Sequence, residues 1–121
     1  MKIEKTRFGS ITIDGKKYSH DVYIFPNGQI EKRKKELSKP YSRGHTVLGP
    51  EEINLLLDQN PAVLVIGKGQ YGSLPIPDRS RDILEDSGVI IIEDKLPVII
   101  ERLNKLLENK EKIAAILHVT C

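Results

Sequence analysis

An α/β domain with a central mixed sheet, N-terminal β-hairpins first and helix-linked, mostly parallel strands after, is the fold this sequence predicts. Three observations lead there. Two tight-turn signals flanked by apolar residues sit near the start, apolar runs of strand length fill the second half, and stretches of helical spacing separate those runs. At 121 residues and 39% hydrophobic, the chain can bury one core, so residues 1–121 read as a single domain.

The elements follow in order. Ile11-Thr12-Ile13 alternates apolar with polar, Asp14-Gly15 is a two-residue turn signal, and Tyr18 lies on the return strand. Val22-Tyr23-Ile24-Phe25 then runs into Pro26-Asn27-Gly28, where Asn-Gly predicts a type I′ turn, and Gln29 to Lys32 returns. Residues 35–49 lose periodicity and read as a loop. Pro50 suits a first helical position, Glu51 and Glu52 suit the positive end of a helix dipole, and Ile53, Leu56 and Leu57 form an apolar face. Asn60-Pro61 ends that helix. Ala62 to Ile66 is continuously apolar, as in a strand covered on both faces. Asp78 is expected to cap a second helix that runs to about Asp86 before Gly88, and Val89 to Ile92 reads as the next buried strand. Leu96, Ile99, Ile100, Leu103, Leu106 and Leu107 give a third helix its face, and Ile113 to Val119 supplies the last strand. Helix-linked strands are expected to be parallel with right-handed crossovers.

Composition narrows the function classes. No apolar run approaches the roughly 20 residues of a membrane span, and charges interrupt the opening Met1 to Arg7, unlike a secretory h-region. A soluble, cytoplasmic protein is expected. Cys121 is the sole cysteine, which leaves no intrachain disulfide and no cysteine-cluster zinc site. His20, His45 and His118 lack metal-ligand spacing, so neither a metal nor a cofactor is expected. Residues 1–50 carry 11 Lys and Arg against 5 Asp and Glu, whereas residues 51–121 carry 8 against 12, which polarises the surface. The densest basic run, Lys32-Arg33-Lys34-Lys35, has no interleaved aromatics, so nucleic acid is a poor match and a solvated hairpin face the simpler one.

Chemistry concentrates in two places. Gly67, Gly69 and Gly72 follow a buried strand with G-x-G-x-x-G spacing, and Glu93-Asp94 closes the next strand where a ribose-binding carboxylate would stand. A dinucleotide site also needs a helix directly after the third glycine, which Pro75 and Pro77 forbid. What survives is a strand-end loop whose amides, with Lys68 and Gln70, could hold a small anion. Glycines that merely permit a tight exit from the sheet are the simpler alternative. The second place is Leu117-His118-Val119-Thr120-Cys121. If the last strand lies parallel to residues 62–66, His118, Thr120 and Cys121 approach the glycine loop, with His118 and Thr120 on one face and Val119 and Cys121 on the other. That alternation separates His118 from Cys121, and a neighbouring α-carboxylate would oppose thiolate formation, which argues against a nucleophilic Cys121. His20 and Asp21, adjacent on a strand, face opposite ways and make a poor acid–base pair.

Taken in order, Phe8-Gly9, Val63-Leu64-Val65-Ile66-Gly67-Lys68-Gly69, Leu103-Asn104-Lys105-Leu106 and His118-Val119-Thr120-Cys121 resemble the Mth nine-three-eight-like family of small domains of unknown function. That family includes the mitochondrial respiratory complex I assembly factor three and an adipogenesis-associated protein. The resemblance spans nearly the whole chain and implies a three-layer α/β fold around a central mixed sheet. It brings no reaction, and its eukaryotic members imply assembly or interaction roles. Gly67, Gly69, His118, Thr120 and Cys121 match recurrent family positions, whereas Lys68 stands where many relatives carry a small polar residue. The opening residues do not resemble a mitochondrial presequence, so the complex I role is not carried over; the Ile- and Lys-rich chain reads as prokaryotic.

The sequence thus favours a non-enzymatic protein-interaction or assembly module with a protein partner. The alternative is a small anionic-ligand binder or enzyme whose site comprises Gly67, Lys68, Gly69, Gln70, Gly72, His118, Thr120 and Cys121.

Overall fold

The computed structural model describes residues 1–42 and 44–121. Ile3–Arg7 (β1), Ser10–Ile13 (β2) and Lys16–Tyr18 (β3) form an antiparallel sheet in the order β1-β2-β3. The sequence signal for β1 is hidden by its charges, which fall on exposed positions while Ile3 turns inward. The first hairpin therefore belongs to a small sheet of its own, not to the single mixed sheet that the sequence predicts. Its turn is type I′, with Asp14 and Gly15 at φ 49° and 80°.

The main sheet is mixed and five-stranded. Val22–Ile24 (β4), Ile30–Lys32 (β5), Val63–Lys68 (β6), Ile90–Asp94 (β7) and Ile113–His118 (β8) lie in the order β5-β4-β8-β6-β7. β6 runs parallel to β7 and β8, and β4 antiparallel to β5 and β8. The turn between β4 and β5 departs from the predicted type I′. Gly28 takes positive φ but Asn27 does not, and the Gly28 amide donates to the Phe25 carbonyl at 2.8 Å. Pro26, suited to the first central position of an ordinary turn, moves the bend one residue back.

Pro50–Leu57 (α1) and Asp78–Asp86 (α2) cover one face of this sheet, and Leu96–Glu108 (α3) with the β1-β2-β3 sheet covers the other. Strand alternation supplies both interfaces. Val22, Ile24, Val63, Val65, Ala115 and Leu117 pack with Leu96, Ile99, Leu103, Ile3, Ile11 and Ile13. Tyr23, Leu64, Ile66, Ala114 and Ile116 pack with Ile53, Leu56 and Leu84. The domain is a three-layer α/β structure, and no described helix is long and apolar enough to cross a membrane.

Smaller departures have local causes. β7 lies at the sheet edge, so the strand expected to be buried leaves Ile90 62% exposed. Asp78 does not cap α2: Pro77 already holds the extended cap geometry, and Asp78 becomes a first-turn residue at the positive helix end. Residues 35–49, predicted as loop, contain 3₁₀ turns at Lys35–Leu37 and Lys39–Tyr41, and Arg43 of that stretch lies outside the described residues.

β1 reaches α3 through one side chain. Asn104 accepts from the Ile3 amide and donates to the Ile3 carbonyl, both at 2.8 Å, replacing the ladder partners that an edge residue lacks. Asn104→Ala should cost about 1–3 kcal/mol, read as a lower urea midpoint with faster amide exchange at Ile3.

Candidate functional site

The glycine loop and the C-terminal segment come together. β6 and β8 are parallel with Lys68 opposite His118, so both strands leave the sheet at the same edge. Gly67 makes room for α3, since a Cβ there would lie 2.8 Å from Leu96 Cδ1. Gly69, at φ +93°, backs onto the chain terminus: a Cβ would overlap the Cys121 carbonyl and come within 2.9 Å of His118 Cδ2.

This packing engages amides of the Gly67–Gly72 loop that the sequence left open to an anion. The Gln70 amide donates to the Thr120 carbonyl at 2.7 Å, that of Ser73 to the Cys121 carbonyl at 2.9 Å, and that of Gly72 to the Gly69 carbonyl at 3.2 Å. Amides bound to these carbonyls do not face a ligand. Lys68 Nζ sits 3.4 Å from Glu93 Oε1, and Glu93 also binds Arg81. The Arg81 hydrogen bond dominates burial and lowers the Glu93 pKa, with Lys68 adding to it. Glu93 is thus an internal ion-pair partner rather than a ribose ligand. Gln70 Nε2 is buried without a hydrogen-bond partner among the described residues.

The strongest concentration of buried charge lies next to His118. Arg33 Nη1 donates to Asp21 Oδ2 at 2.9 Å, while its Nε and Nη2 donate to Glu52 and Nη2 also to the Val47 carbonyl. Glu52 further accepts from Tyr23 Oη at 2.6 Å and Ser38 Oγ at 2.5 Å. Asp21, Arg33, Glu52 and His118 are only 1%, 4%, 0% and 3% exposed. Burial by itself would lower the Arg33 pKa, but hydrogen bonds and charge from Glu52 and Asp21 raise it. Burial pushes the Tyr23 phenol upward, and the Glu52 carboxylate pushes it further.

Asp21 links this network to the chain end. Its Oδ2 meets His118 Nδ1 at 2.7 Å, its Oδ1 accepts the Val119 amide at 2.8 Å, and His118 Nε2 lies 3.2 Å from Thr120 Oγ1. The result is a continuous Asp21–His118–Thr120 row. Burial would raise the Asp21 carboxyl, yet the His118 hydrogen bond and charge, the Val119 amide and Arg33 outweigh it and hold it at about 2. A depressed carboxylate pKa stabilises the fold above the ordinary value of 3.8 and loses that contribution as pH falls through about 2. Urea midpoints should therefore fall more steeply between about pH 4 and pH 2 for the native chain than for Asp21→Asn, by about 2 kcal/mol; parallel curves would contradict this.

Thr120 stands where two clefts meet. One, of about 450 Å³, is lined by Gly9, His20, Asp21, Lys32, Lys35 and neighbouring residues; the other, also about 450 Å³, by Thr46, Ser73, Pro75, His118, Cys121 and neighbours. Thr120 lines both. Cys121 is exposed. On the same edge, Phe8 and Tyr71 are 58% and 69% exposed, with ring centroids 6.1 Å apart.

Sequence reasoning placed Gly67, Gly69, Gln70, His118, Thr120 and Cys121 together but missed Asp21, Arg33 and Glu52. Arg33 looked like one member of a solvated basic run, and Glu52 like a helix-dipole residue. The signal for each was weak: Asp21 immediately precedes the apolar strand β4, and Arg33 immediately follows β5.

Comparison with known proteins supplies the context. A family model described as a protein of unknown function (DUF498/DUF598) matches residues 3–118. The conserved hypothetical protein PH1505 from Pyrococcus horikoshii OT3 is similar at 42% identity, over 100% of both chains, with a TM-score of 0.80. MT938 is similar at 30% identity over 99% of this chain and 98% of its own, with a TM-score of 0.82. A Mth938-like domain protein from Bordetella pertussis shares the fold at 17% identity and a TM-score of 0.62, over 97% of this chain and 84% of its own. The chain belongs to the DUF498/DUF598 family of unknown function, whose fold is that of the Mth938-like domains.

Proposed function

We propose that this domain binds a small anionic molecule in the clefts that meet at Thr120. One observation carries the reading: the buried Asp21–His118–Thr120 row ends in a hydroxyl that lines both clefts. A built polar row opening into concave space is a common mark of a ligand site. The charge comes from side chains, not from the glycine loop. Lys32 and Lys35 line the first cleft together with Glu36, while Arg33 beside them is held by Asp21 and Glu52.

Thermal shift with phosphate and small mono- and dicarboxylates tests this. An anion should raise the melting temperature of the native chain and lose that effect in Lys32→Ala with Lys35→Ala. Lys68→Ala should leave the shift in place, because Lys68 is held by Glu93. No shift with any anion, or a shift unaffected by the double substitution, rejects the reading.

A second reading, a protein-interaction module, is supported by a different observation, the exposed Phe8 and Tyr71 rings. Aromatic side chains are enriched among the residues that dominate interfaces. Phe8→Ser with Tyr71→Ser should abolish recovery of a stoichiometric partner, and unchanged recovery would locate the interface elsewhere.

A further inference from the structure

We infer that Thr120 is a nucleophile activated by His118, with Asp21 as the residue that positions His118, and that the domain transfers the acyl group of small anionic carboxylic esters to water. The inference rests on the proposed ligand site and names its substrate class.

The protonation pattern follows from hydrogen-bond inventory. An ionised Asp21 carboxylate only accepts, so the 2.7 Å contact places the proton on His118 Nδ1. With His118 in its neutral form, Nε2 presents a lone pair, and the hydroxyl 3.2 Å away donates to it. A base held by a third group and bonded to a hydroxyl is the arrangement that makes a weak alcohol nucleophilic. Three features fix it. His118 and Thr120, two residues apart on an extended segment, share a face. The Val119 amide holds Asp21 Oδ1 at 2.8 Å while Arg33 Nη1 holds Oδ2 at 2.9 Å, so the carboxylate cannot rotate away. His118 is 3% exposed, which holds its ring in place at the wall of the second cleft, whereas Thr120 is only half-buried and lines both clefts.

The chemistry balances without a cofactor. Thr120 Oγ1 bonds to the ester carbonyl carbon as its proton passes to His118 Nε2, and the carbonyl π electrons move to oxygen. Collapse breaks the bond to the alkoxy oxygen, which leaves with the proton from Nε2. Water then attacks the acyl-threonine, Nε2 takes its proton, and the threonine oxygen departs with that proton, releasing a carboxylic acid. The Thr120 amide, which has no hydrogen-bond acceptor among the described residues, is the donor assigned to the developing oxyanion. Lys32 and Lys35 select an acyl or alcohol group carrying negative charge.

The test uses diisopropyl fluorophosphate, which the same hydroxyl would attack at phosphorus with loss of fluoride and the Nε2 proton. Intact mass and peptide mapping should find one adduct per chain at Thr120, absent in Thr120→Val, present in Thr120→Ser and formed at least about 100-fold more slowly in His118→Asn. In Asp21→Asn, ¹⁵N spectra of the imidazole should show the Nδ1-protonated form giving way to the other tautomer, with slower labelling. No adduct on the folded native chain, or an adduct that persists in Thr120→Val, overturns the inference. The anion-induced thermal shift of the native chain separates the ligand site from the nucleophile. If that shift occurs while the native chain is not labelled, the ligand site stands and Thr120 is not a nucleophile; if neither occurs, both fall.

Discussion

Arg33→Leu is expected to destabilise the domain by about 3–5 kcal/mol, because it leaves Asp21 and Glu52 buried without the cation between them. The guanidinium joins three parts of the chain. It follows β5 directly, binds Glu52 on α1, and holds Asp21, which in turn holds His118 and Val119 at the end of β8. Urea unfolding at pH 7 should show a lower midpoint with an unchanged slope. A cycle with Glu52→Leu makes the test sharper. Arg33→Leu strands Glu52 and Glu52→Leu leaves Arg33 with Asp21 alone, whereas the double substitution removes both halves of one pair, so its cost should fall well below the sum of the two. A loss under about 1 kcal/mol for Arg33→Leu, or strict additivity in the cycle, would show that the network contributes little despite its burial.

Gly69→Ala should have a comparable effect for a steric reason. Its φ of +93° is one that side chains rarely adopt, and a Cβ would overlap the Cys121 carbonyl. Backbone strain of about 1–3 kcal/mol adds to an overpacking cost of about 1–3 kcal/mol. The easiest relief is for residues 119–121 to move out, which would break the Gln70 and Ser73 hydrogen bonds to Thr120 and Cys121. Amide exchange at Gln70 and Ser73 should accelerate more than at the centre of β6. In a chain shortened by Cys121 the same substitution should cost less, because the main obstacle is gone. Equal cost in both backgrounds would mean that strain at residue 69 alone sets the penalty.

Much of this architecture was legible in the sequence because it is written locally. Alternation in Ile11-Thr12-Ile13, the Asp14-Gly15 turn, the apolar run of residues 62–66 and the helical spacing after Leu96 each depend on neighbours a few positions away. Parallel pairing of β6 and β8 then follows from connection rules, which is why the meeting of the glycine loop with His118 and Thr120 could be anticipated. The partners of Asp21 could not. They lie 12 and 97 residues away, and no local pattern distinguishes an arginine that turns inward from the lysines beside it. The bonded amides of the glycine loop have the same origin: whether the Gln70 and Ser73 amides are free depends on what the far end of the chain does. Glu52 shows a third kind of miss, since a favourable helix-dipole position and a buried ion-pair position look identical until the loop before α1 is in place.

The strand order carries a consequence for how the chain reaches this state. β8 is last in sequence yet lies between β4 and β6, so the main sheet stays in two pieces until residues 113–118 are available. During synthesis the β4–β5 hairpin and the β6–β7 pair must wait with unpaired edges. Contacts that span most of the chain favour slow folding, and open edges in the interim favour association with other chains. Closure of the sheet and assembly of the Asp21–His118 contact are thus one late event, so a chain that has not completed its fold cannot yet present the row that ends at Thr120.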